Sequence, residues 1–396
     1  MTATPAAPAE QAEEAHQATP RRVTTLELFF DLVFVFTITQ LTVLLADDLS
    51  FAQAGRMLLI FAVLYWMYGA YAYLTNQVPP ETLARRVILM AGMFGFLTCA
   101  LAVPKLFSTD GVAFGLAFVL VTAVHSTLYA LIHGKYVLSF AVPNLVAAGC
   151  VTLAGTVHGA PSDLLWLAAV LLQQVAPILS SKITGAYADG RAPVTEHVGE
   201  LDPAHFVERH GLLLIIAFGE SVVAIGAGAA DTRLDWAQAC GIALALALAA
   251  TLWWTYFGND ESAAEHALGA ARGIDRFRLG MLGYYYSFIP MLLGVAILAA
   301  GLKKAIGHLG SALPAAPALA LAGGVAVFLL GDLCFRLSLR IAPMRYRAVG
   351  VVAVLATVPL AGAASAVQLL GLTVVMVLML VAEEAGRRRA APPAAA

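Results

Sequence analysis

Runs of 18 or more mostly apolar residues recur along this chain, as in "GVAFGLAFVLVTAVHSTLYALI" (residues 111–132). As a helix, each run is long enough to cross a hydrocarbon core of about 30 Å. In lipid the backbone must satisfy its own hydrogen bonds, so isolated spans of this kind are helices. Only 12% of the residues are charged, against about 25% in a typical soluble domain. The sequence therefore predicts an all-α fold, a polytopic transmembrane helix bundle.

Twelve spans are predicted, and a polar connection, residues 184–203, divides them six and six. The halves are residues 23–183 and 204–385. The two ends, residues 1–22 and 386–396, are rich in Ala, Pro and charged residues and are predicted to be disordered tails. The predicted spans are 25–46, 54–75, 85–103, 111–132, 136–158, 163–182, 204–229, 235–257, 279–301, 315–339, 346–362 and 364–384.

The distribution of Lys and Arg predicts the orientation, because cytoplasmic loops of membrane proteins carry an excess of both. With the N-terminus inside, 18 of the 23 Lys and Arg residues fall on the cytoplasmic side of the twelve-span arrangement, and 5 fall outside. An even number of spans also keeps the C-terminal "RRR" inside. Both termini are therefore predicted to be cytoplasmic.

The two halves resemble each other in sequence. Aligning Glu27 with Glu208 also aligns the aromatic ends of the second helices, "LYWMYGAY" and "LWWTYFGN", and places His125 over Asp332. Six spans per half would make the repeats parallel, with a pseudo-two-fold axis along the membrane normal, as in many transporters. The aromatic ends are predicted to form an interfacial belt.

Glu27 and Asp31 lie one turn apart in the apolar first span, "TTLELFFDLVFVFTITQ". Thr24 and Glu27 fit a capping box, which gives Glu27 a structural role. Asp31 lies deeper, and a charge inside the membrane is a candidate functional group. The alternatives for Asp31 are proton or ion movement and a structural salt bridge. Its candidate partners in a salt bridge are Arg85, Arg86 and Arg336.

Glu220 interrupts the apolar seventh span, "LLLIIAFGESVVAIGAG", near the expected midplane of the bilayer. Ser221 follows it, and Gly219, Gly226 and Gly228 are expected to let neighbouring helices approach closely. A carboxylic acid at this depth is either neutral or paired. Two interpretations of Glu220 follow, a proton relay and a neutral side chain that clamps two helices by hydrogen bonds.

Three further groups fall within the predicted spans. His125 in the fourth span is either a proton carrier or a satisfied core residue. Asp332 and Arg336, spaced i and i+4, are expected to form an ion pair that is either structural or part of a polar path. Glu208 is expected to pair with Arg209 or Arg336 near the cytoplasmic surface. Glu208 and Arg209 are assigned structural roles.

The motifs of soluble enzymes are missing from the sequence. It contains no GxGxxG after a strand, no Walker A motif, no HExxH and no GxSxG. The four cysteines form no CxxC pair, so no metal site is predicted. No cofactor, no catalytic residue and no nucleic-acid partner is predicted either. The expected partners are the lipid bilayer and an unidentified small solute or ion, and the oligomeric state is left open.

Two segments, "LELFFDLVFVF" and "HFVERHGLLLIIAFGESVVAIG", resemble the signature segments of the bacterial low temperature requirement A (LtrA) family. The resemblance extends over residues 22–384. It implies a multi-pass protein of the bacterial inner membrane that is associated by name with growth in the cold. It implies no established substrate or mechanism. The positions that match the family are Glu27, Asp31, Glu208, Gly219, Glu220 and Ser221.

The leading functional hypothesis is a secondary transporter driven by protons or another cation. Asp31 and Glu220 would titrate in one site between the two halves, with His125 and the Asp332–Arg336 pair nearby. An enzyme or lipid-handling protein is the alternative, but it would need a clustered nucleophile, metal or oxyanion site that the sequence lacks. A channel, and a sensor or scaffold, are further alternatives.

Overall fold

The computed structural model describes residues 22–133, 137–183, 201–230 and 232–390, and these ranges are almost entirely helical, with no strand among them. Residues 1–21 of the predicted tail 1–22, residues 184–200 of the predicted linker and residues 391–396 lie outside the described residues. The helices are α1 (Thr25–Asp47), α2 (Phe51–Gln77), α3 (Leu83–Ala102), α4 (Gly111–His133), α5 (Val137–Ala154), α6 (Ala160–Ile183), α7 (Pro203–Ala229), α8 (Trp236–Phe257), α9 (Asp260–Ala270), α10 (Gly273–Gly280), α11 (Phe288–Ile306), α12 (Ala315–Leu339), α13 (Arg345–Leu355) and α14 (Ser365–Ala390).

Each of the twelve predicted spans coincides with a helix, which confirms the all-α, multi-pass class. Within the described ranges, ten helical segments are long and apolar enough to cross a membrane. α5 and α6 are not among these ten, so the crossings by these two helices stay predictions. The twelve predicted spans leave residues 258–278 unassigned, and the structure places the polar helix α9 and the start of the ninth span there.

The ends of three helices follow the signals in the sequence. Thr24 caps α1 in a capping box with Glu27, as predicted. Asp202 caps α7 and Pro203 occupies its first turn. The chain between α13 and α14 forms a 3₁₀ turn, Val358–Gly362, which confirms the predicted division between the spans 346–362 and 364–384.

The end of α14 differs from the prediction. Residues 386–390 were assigned to a disordered tail, yet they continue the helix. Arg388 Nε donates to Glu384 Oε1 at 2.7 Å, and Arg387 donates to Glu383 in the same spacing. Pairs at i and i+4 stabilise the end of a helix by a few tenths of a kcal/mol each, which explains the extra turn.

The same order of helix contacts recurs in both halves. In the first half α1 packs on α3, α3 on α4, α4 on α5, α5 on α6, and α2 on α6. In the second half α7 packs on α11, α11 on α12, α12 on α13, α13 on α14, and α8 on α14. With α10 and α11 counted as one span, these are equivalent pairs, in agreement with the predicted duplication. The equivalent helices α1 and α7 also pack on each other.

Helices α11 and α12 pack so closely that a side chain does not fit at certain glycines. A Cβ atom at Gly294 would lie 2.5 Å from the backbone nitrogen of Phe328, and one at Gly324 would overlap the backbone of Leu298. Small residues permit this close approach of two backbones, and dispersion contacts then hold membrane helices together. The span that contains α11 is buried over more of its length than any other candidate span.

Replacing Gly324 by alanine is expected to lower the unfolding free energy by about 1–3 kcal/mol, because the two helices must move apart. Gly323→Ala is the matched control, since a Cβ there meets no atom within 4 Å. Alanine at that position favours the helix by about 1 kcal/mol. Thermal unfolding of both purified variants in one detergent is the measurement. Equal midpoints for the two variants would contradict the close packing.

The aromatic belt was predicted wrongly for α2. Trp253 and Trp254 of α8 are 41% and 61% exposed, but Tyr65, Tyr68 and Tyr71 of α2 are fully buried, as is Tyr256 of α8. Buried tyrosines need acceptors for their hydroxyl groups, and three of them find one on another helix. Tyr65 donates to Tyr284 O, Tyr68 to Asp31 Oδ1 and Tyr71 to Val121 O, at 2.8, 3.0 and 2.9 Å.

Candidate site at the interface of α1 and α7

Two carboxylates of α1 share one arginine of α7. Arg209 Nη2 lies 3.0 Å from Asp31 Oδ1, and its Nε donates to the same oxygen at 3.2 Å. Its Nη1 donates to Glu27 Oε1 at 3.4 Å. The three side chains are at most 2% exposed. We call this group the inner cluster, since it lies near the first turns of both helices, on the side predicted to be cytoplasmic.

The inner cluster confirms a salt bridge at Asp31 but not its predicted partners. Arg85 and Arg86 donate to the carbonyl oxygens of Pro79 and Pro80, and Arg336 binds Asp260. The expected pairing of Glu208 with Arg209 or Arg336 is also wrong, because Glu208 accepts a hydrogen bond from the Val23 backbone at 3.2 Å. Helix rotation, which the sequence does not report, turns Arg209 towards α1.

A polar shell from α2 and α7 surrounds the inner cluster. Asn76 Oδ1 accepts from the Asp202 backbone N–H at 3.1 Å, so its amide nitrogen faces His205 Nδ1 at 3.0 Å. His205 Nδ1 is then an acceptor, and the proton of the neutral ring lies on Nε2, which is 3.3 Å from Glu27 Oε2. Thr75 accepts from Arg209. The inner cluster thus holds two carboxylates against one cation.

Sequence reasoning assigned Arg209 a structural role and missed His205, Thr75 and Asn76. A signal for two of these residues is present in the sequence. His205 and Arg209 are spaced i and i+4 on α7, as Glu27 and Asp31 are on α1. Residues with this spacing share one helix face, so each helix presents a pair of polar side chains to the other.

Glu220 forms a second polar layer at the same interface. Its Oε2 accepts a hydrogen bond from Thr39 Oγ1 of α1 at 2.7 Å. The Thr42 hydroxyl lies beside the carboxylate, and Lys303 of α11 is close enough to act on it electrostatically. Glu220 is 6% exposed. We call this group the outer layer.

Several buried hydroxyl groups on α1 and α7 lack partners. In the described part of the chain, the side-chain oxygens of Thr37, Thr42 and Ser221 have no hydrogen-bond partner. A buried polar group without a partner usually marks a strained site or a place for water or an ion. Of the three, Thr42 lies beside the Glu220 carboxylate, which makes the outer layer a candidate place for a polar ligand.

The inner cluster and the outer layer are separate along the interface. Asp31 and Thr39 are eight residues apart, about 12 Å along α1. Ile38 of α1 and Leu213 of α7, which lie at intermediate positions along the two helices, are buried and apolar. The two predicted titrating groups, Asp31 and Glu220, thus face one interface at two depths, with an apolar barrier in between.

The glycines around Glu220 do not all have the predicted role. A Cβ at Gly219 or Gly226 would meet no atom within 4 Å, so no helix approaches closely there. A Cβ at Gly228 would lie 2.7 Å from Lys303 O of α11. Only Gly228 of the three therefore permits close packing, because the other two face away from the bundle, as the exposed Val222 and Val223 do.

His125 lies in another interface than Glu220. Its ring packs against those of Tyr71, Tyr129 and Phe140, with centroids 5.1, 6.0 and 4.9 Å away. Nδ1 is buried and has no hydrogen-bond partner among the described residues. The structure therefore places His125 between α2, α4 and α5, apart from the interface of α1 and α7.

Arg336 belongs to a second buried ion network, between α9, α12, α13 and α14. Its Nε and Nη2 bind the two carboxylate oxygens of Asp260 at 2.6 and 2.7 Å, and Nη2 binds Glu383 at 2.7 Å. The predicted partner Asp332 is 3.7 Å away. Arg347 Nε lies 3.3 Å from Asp332. The expected i, i+4 contact exists, but Asp260 of the unpredicted helix α9 is the main partner.

No group of three or more His, Cys, Asp or Glu side chains within the described ranges could hold a metal ion. All four cysteines are free, and Cys99 alone among them is buried. The chemistry of the interface is therefore that of carboxylates, one guanidinium and hydroxyl groups.

Comparison with known proteins gives a family and one relative. The family described as bacterial low temperature requirement A protein (LtrA) matches residues 22–382. An uncharacterized protein of Rhizobium meliloti (strain 1021) is 26% identical over 328 residues, which cover 80% of this chain and 78% of the relative. No solved structure matches.

Proposed function

Since the chain belongs to the bacterial low temperature requirement A family, we propose that it is a proton- or cation-coupled secondary transporter of the bacterial inner membrane, with both termini in the cytoplasm. The coupling ion moves along the interface of α1 and α7. The substrate is a small solute or ion that the polar outer layer admits.

The burial of Glu220 at the interface of α1 and α7 is the observation that carries the proposal. Its buried carboxylate lies where equivalent helices of the two halves meet, and it accepts a hydrogen bond from Thr39. Ionisable groups inside a membrane are costly and mark ion or proton pathways. The hydroxyls of Thr39 and Thr42 beside it supply ligands for a hydrated ion or a polar substrate.

The inner cluster supplies the gate on the opposite side of the apolar barrier. Arg209 joins α7 to α1 through Asp31 and Glu27. Because two carboxylates share this one guanidinium, a proton or a cation can replace part of the pairing. Neutralising Asp31 weakens the contact between α1 and α7, and the two halves can then rock apart, as parallel repeats do in other transporters.

Loss of coupled flux in Glu220→Gln is the expected result. The amide keeps the size of the side chain and removes its proton-binding oxygen. Purified protein in liposomes that contain a pH dye is tested against a panel of cations and small metabolites. Wild type should show proton flux that depends on one of the solutes, and Glu220→Gln should show none.

The matched control is Glu384→Gln, which alters an exposed carboxylate at the end of α14. This variant should keep the flux of the wild type. If Glu220→Gln and Asp31→Asn both fold and transport normally, the assignment of the path is wrong. A solute flux that neither saturates nor moves protons would indicate a channel. If folded wild type shows no proton flux with any solute of the panel, a structural or lipid-handling role is favoured.

A further inference from the structure

A crevice lies between the start of α13 and the end of α14. Its volume is about 360 Å³, within the range of about 300–1,000 Å³ that is usual for small-ligand pockets. Small side chains form one wall, and two arginines and a tyrosine supply the polar groups. The lining residues are Arg345, Tyr346, Ala382, Ala385, Gly386 and Arg389.

The two arginines of the crevice are available for an anion. Arg345 and Arg389 pair with no carboxylate in the described part of the chain, whereas Arg387 and Arg388 pair with Glu383 and Glu384. Arg345 stacks on the ring of Tyr346, 4.9 Å from its centroid, and binds its hydroxyl at 3.0 Å. A guanidinium held in place with free N–H groups is a good donor to phosphate.

Apolar helix faces adjoin the crevice. Val349 and Val352 of α13 are 67% and 70% exposed, and Leu378 and Val381 of α14 are 61% and 60% exposed. They lie within about three turns of the crevice on the same two helices. Both arginines stand at the polar ends of their apolar spans, Arg345–Gly362 and Ser365–Arg389. The crevice is thus open to an amphipathic ligand whose charged end lies at the membrane surface.

We propose that this crevice binds an anionic phospholipid from the leaflet on the side predicted to be cytoplasmic. Arg345 and Arg389 bind the phosphate of the headgroup, the Tyr346 hydroxyl donates to it, and the acyl chains lie on the exposed faces of α13 and α14. Basic pockets between membrane helices on the cytoplasmic side recognise lipid headgroups in this way.

The bound lipid also strengthens the second ion network. Arg347 follows Tyr346 on α13, and it binds Glu383, which lies one residue after Ala382 on α14. A headgroup that bridges the two helix ends holds α13 against α14, so Arg347 and Glu383 stay in contact. Binding of the lipid is therefore expected to raise the stability of this corner of the bundle.

Native mass spectrometry of detergent-purified protein tests the proposal. Phosphatidylglycerol and phosphatidylcholine are added in turn as probes, and inorganic phosphate is added in a separate arm. Wild type should retain phosphatidylglycerol in preference to phosphatidylcholine. The double variant Arg345→Ala/Arg389→Ala should bind it about thirtyfold more weakly, at about 1 kcal/mol for each arginine near a lipid surface.

Two further variants make the result specific to the crevice. Arg388→Ala removes a neighbouring positive charge that does not line the crevice, and it should bind like wild type. Ala382→Phe fills the crevice without changing the charge, and it should lose the bound lipid. Ala382→Phe also provides the test if the double variant does not fold. Because Ala382 is exposed, its replacement is expected to leave the fold intact.

Equal retention by wild type, the double variant and Ala382→Phe would overturn the proposal. It would also fail if Arg388→Ala lost the lipid to the same extent, because the attraction would then be general charge. Stabilisation of wild type by inorganic phosphate without retention of phosphatidylglycerol would show that the crevice takes a soluble phosphate instead of a lipid.

Discussion

Replacing Arg209 by methionine is expected to lower the unfolding free energy by about 3–5 kcal/mol, the usual cost of removing one partner of a buried ion pair. Methionine preserves much of the side-chain length, so the lost packing is small. Asp31 and Glu27 would remain buried with no guanidinium beside them. Denaturant or thermal unfolding of the purified protein, with circular dichroism as the signal, measures the change.

Arg56→Met provides the matched control. Arg56 forms a bidentate pair with Asp163 at 3.0 and 3.3 Å, but the two side chains are 33% and 40% exposed. An exposed pair contributes below about 1 kcal/mol. If the two variants lose the same unfolding free energy, burial does not determine how much the inner cluster contributes to stability. Adding Asp31→Asn to Arg209→Met should restore part of the loss, because it removes the unpaired charge.

Replacing Arg336 by methionine is expected to cost a similar amount, about 3–5 kcal/mol, because it leaves the buried carboxylate of Asp260 without its guanidinium. The side chains of Arg336 and Asp260 are 0% exposed. The loss should also release α9, whose Asp260 is joined to α12 by this pair. Limited proteolysis around residues 258–272 should therefore become faster in the variant, and slow cleavage equal to wild type would contradict the role of Asp260.

Double-mutant cycles separate the two carboxylates that face Arg336. The coupling energy of contacting charges ranges over about 0.5–3 kcal/mol. Asp260 lies at 2.6 Å and should couple to Arg336 near the upper end of that range, whereas Asp332 lies at 3.7 Å and should couple near the lower end. The reverse order would show that the i, i+4 pair on α12, which the sequence predicts, dominates the network.

Both ion networks join helices by buried ion pairs on the side predicted to be cytoplasmic. Arg209 joins the two halves there, and Arg336 together with Arg347 joins four helices within the second half. In the outer layer, among the described residues, Glu220 has a single hydrogen bond, from Thr39. This difference between the inner cluster and Glu220 supports the proposed transport. In that proposal, ion pairs hold the inner cluster closed, and the Glu220 carboxylate of the outer layer takes up the proton.

The sequence by itself determined the class, the helices and most of their ends. An apolar run in lipid has to form a helix, because the bilayer offers its backbone no hydrogen-bond partner. Local signals then set the ends, as the capping box at Thr24 and the proline after Asp202 show.

The tertiary structure alone decided which charges meet. Successive residues of a helix point about 100° apart, so an error of one residue in the rotation of α7 would turn Arg209 away from Asp31. Side chains distant in sequence, such as Arg336 and Asp260, carry no local signal of their pairing. The predicted partners of Asp31 and Glu208 were wrong for this reason. Glu220 faces the interface of the two halves because the packing of α1 on α7 turns it there.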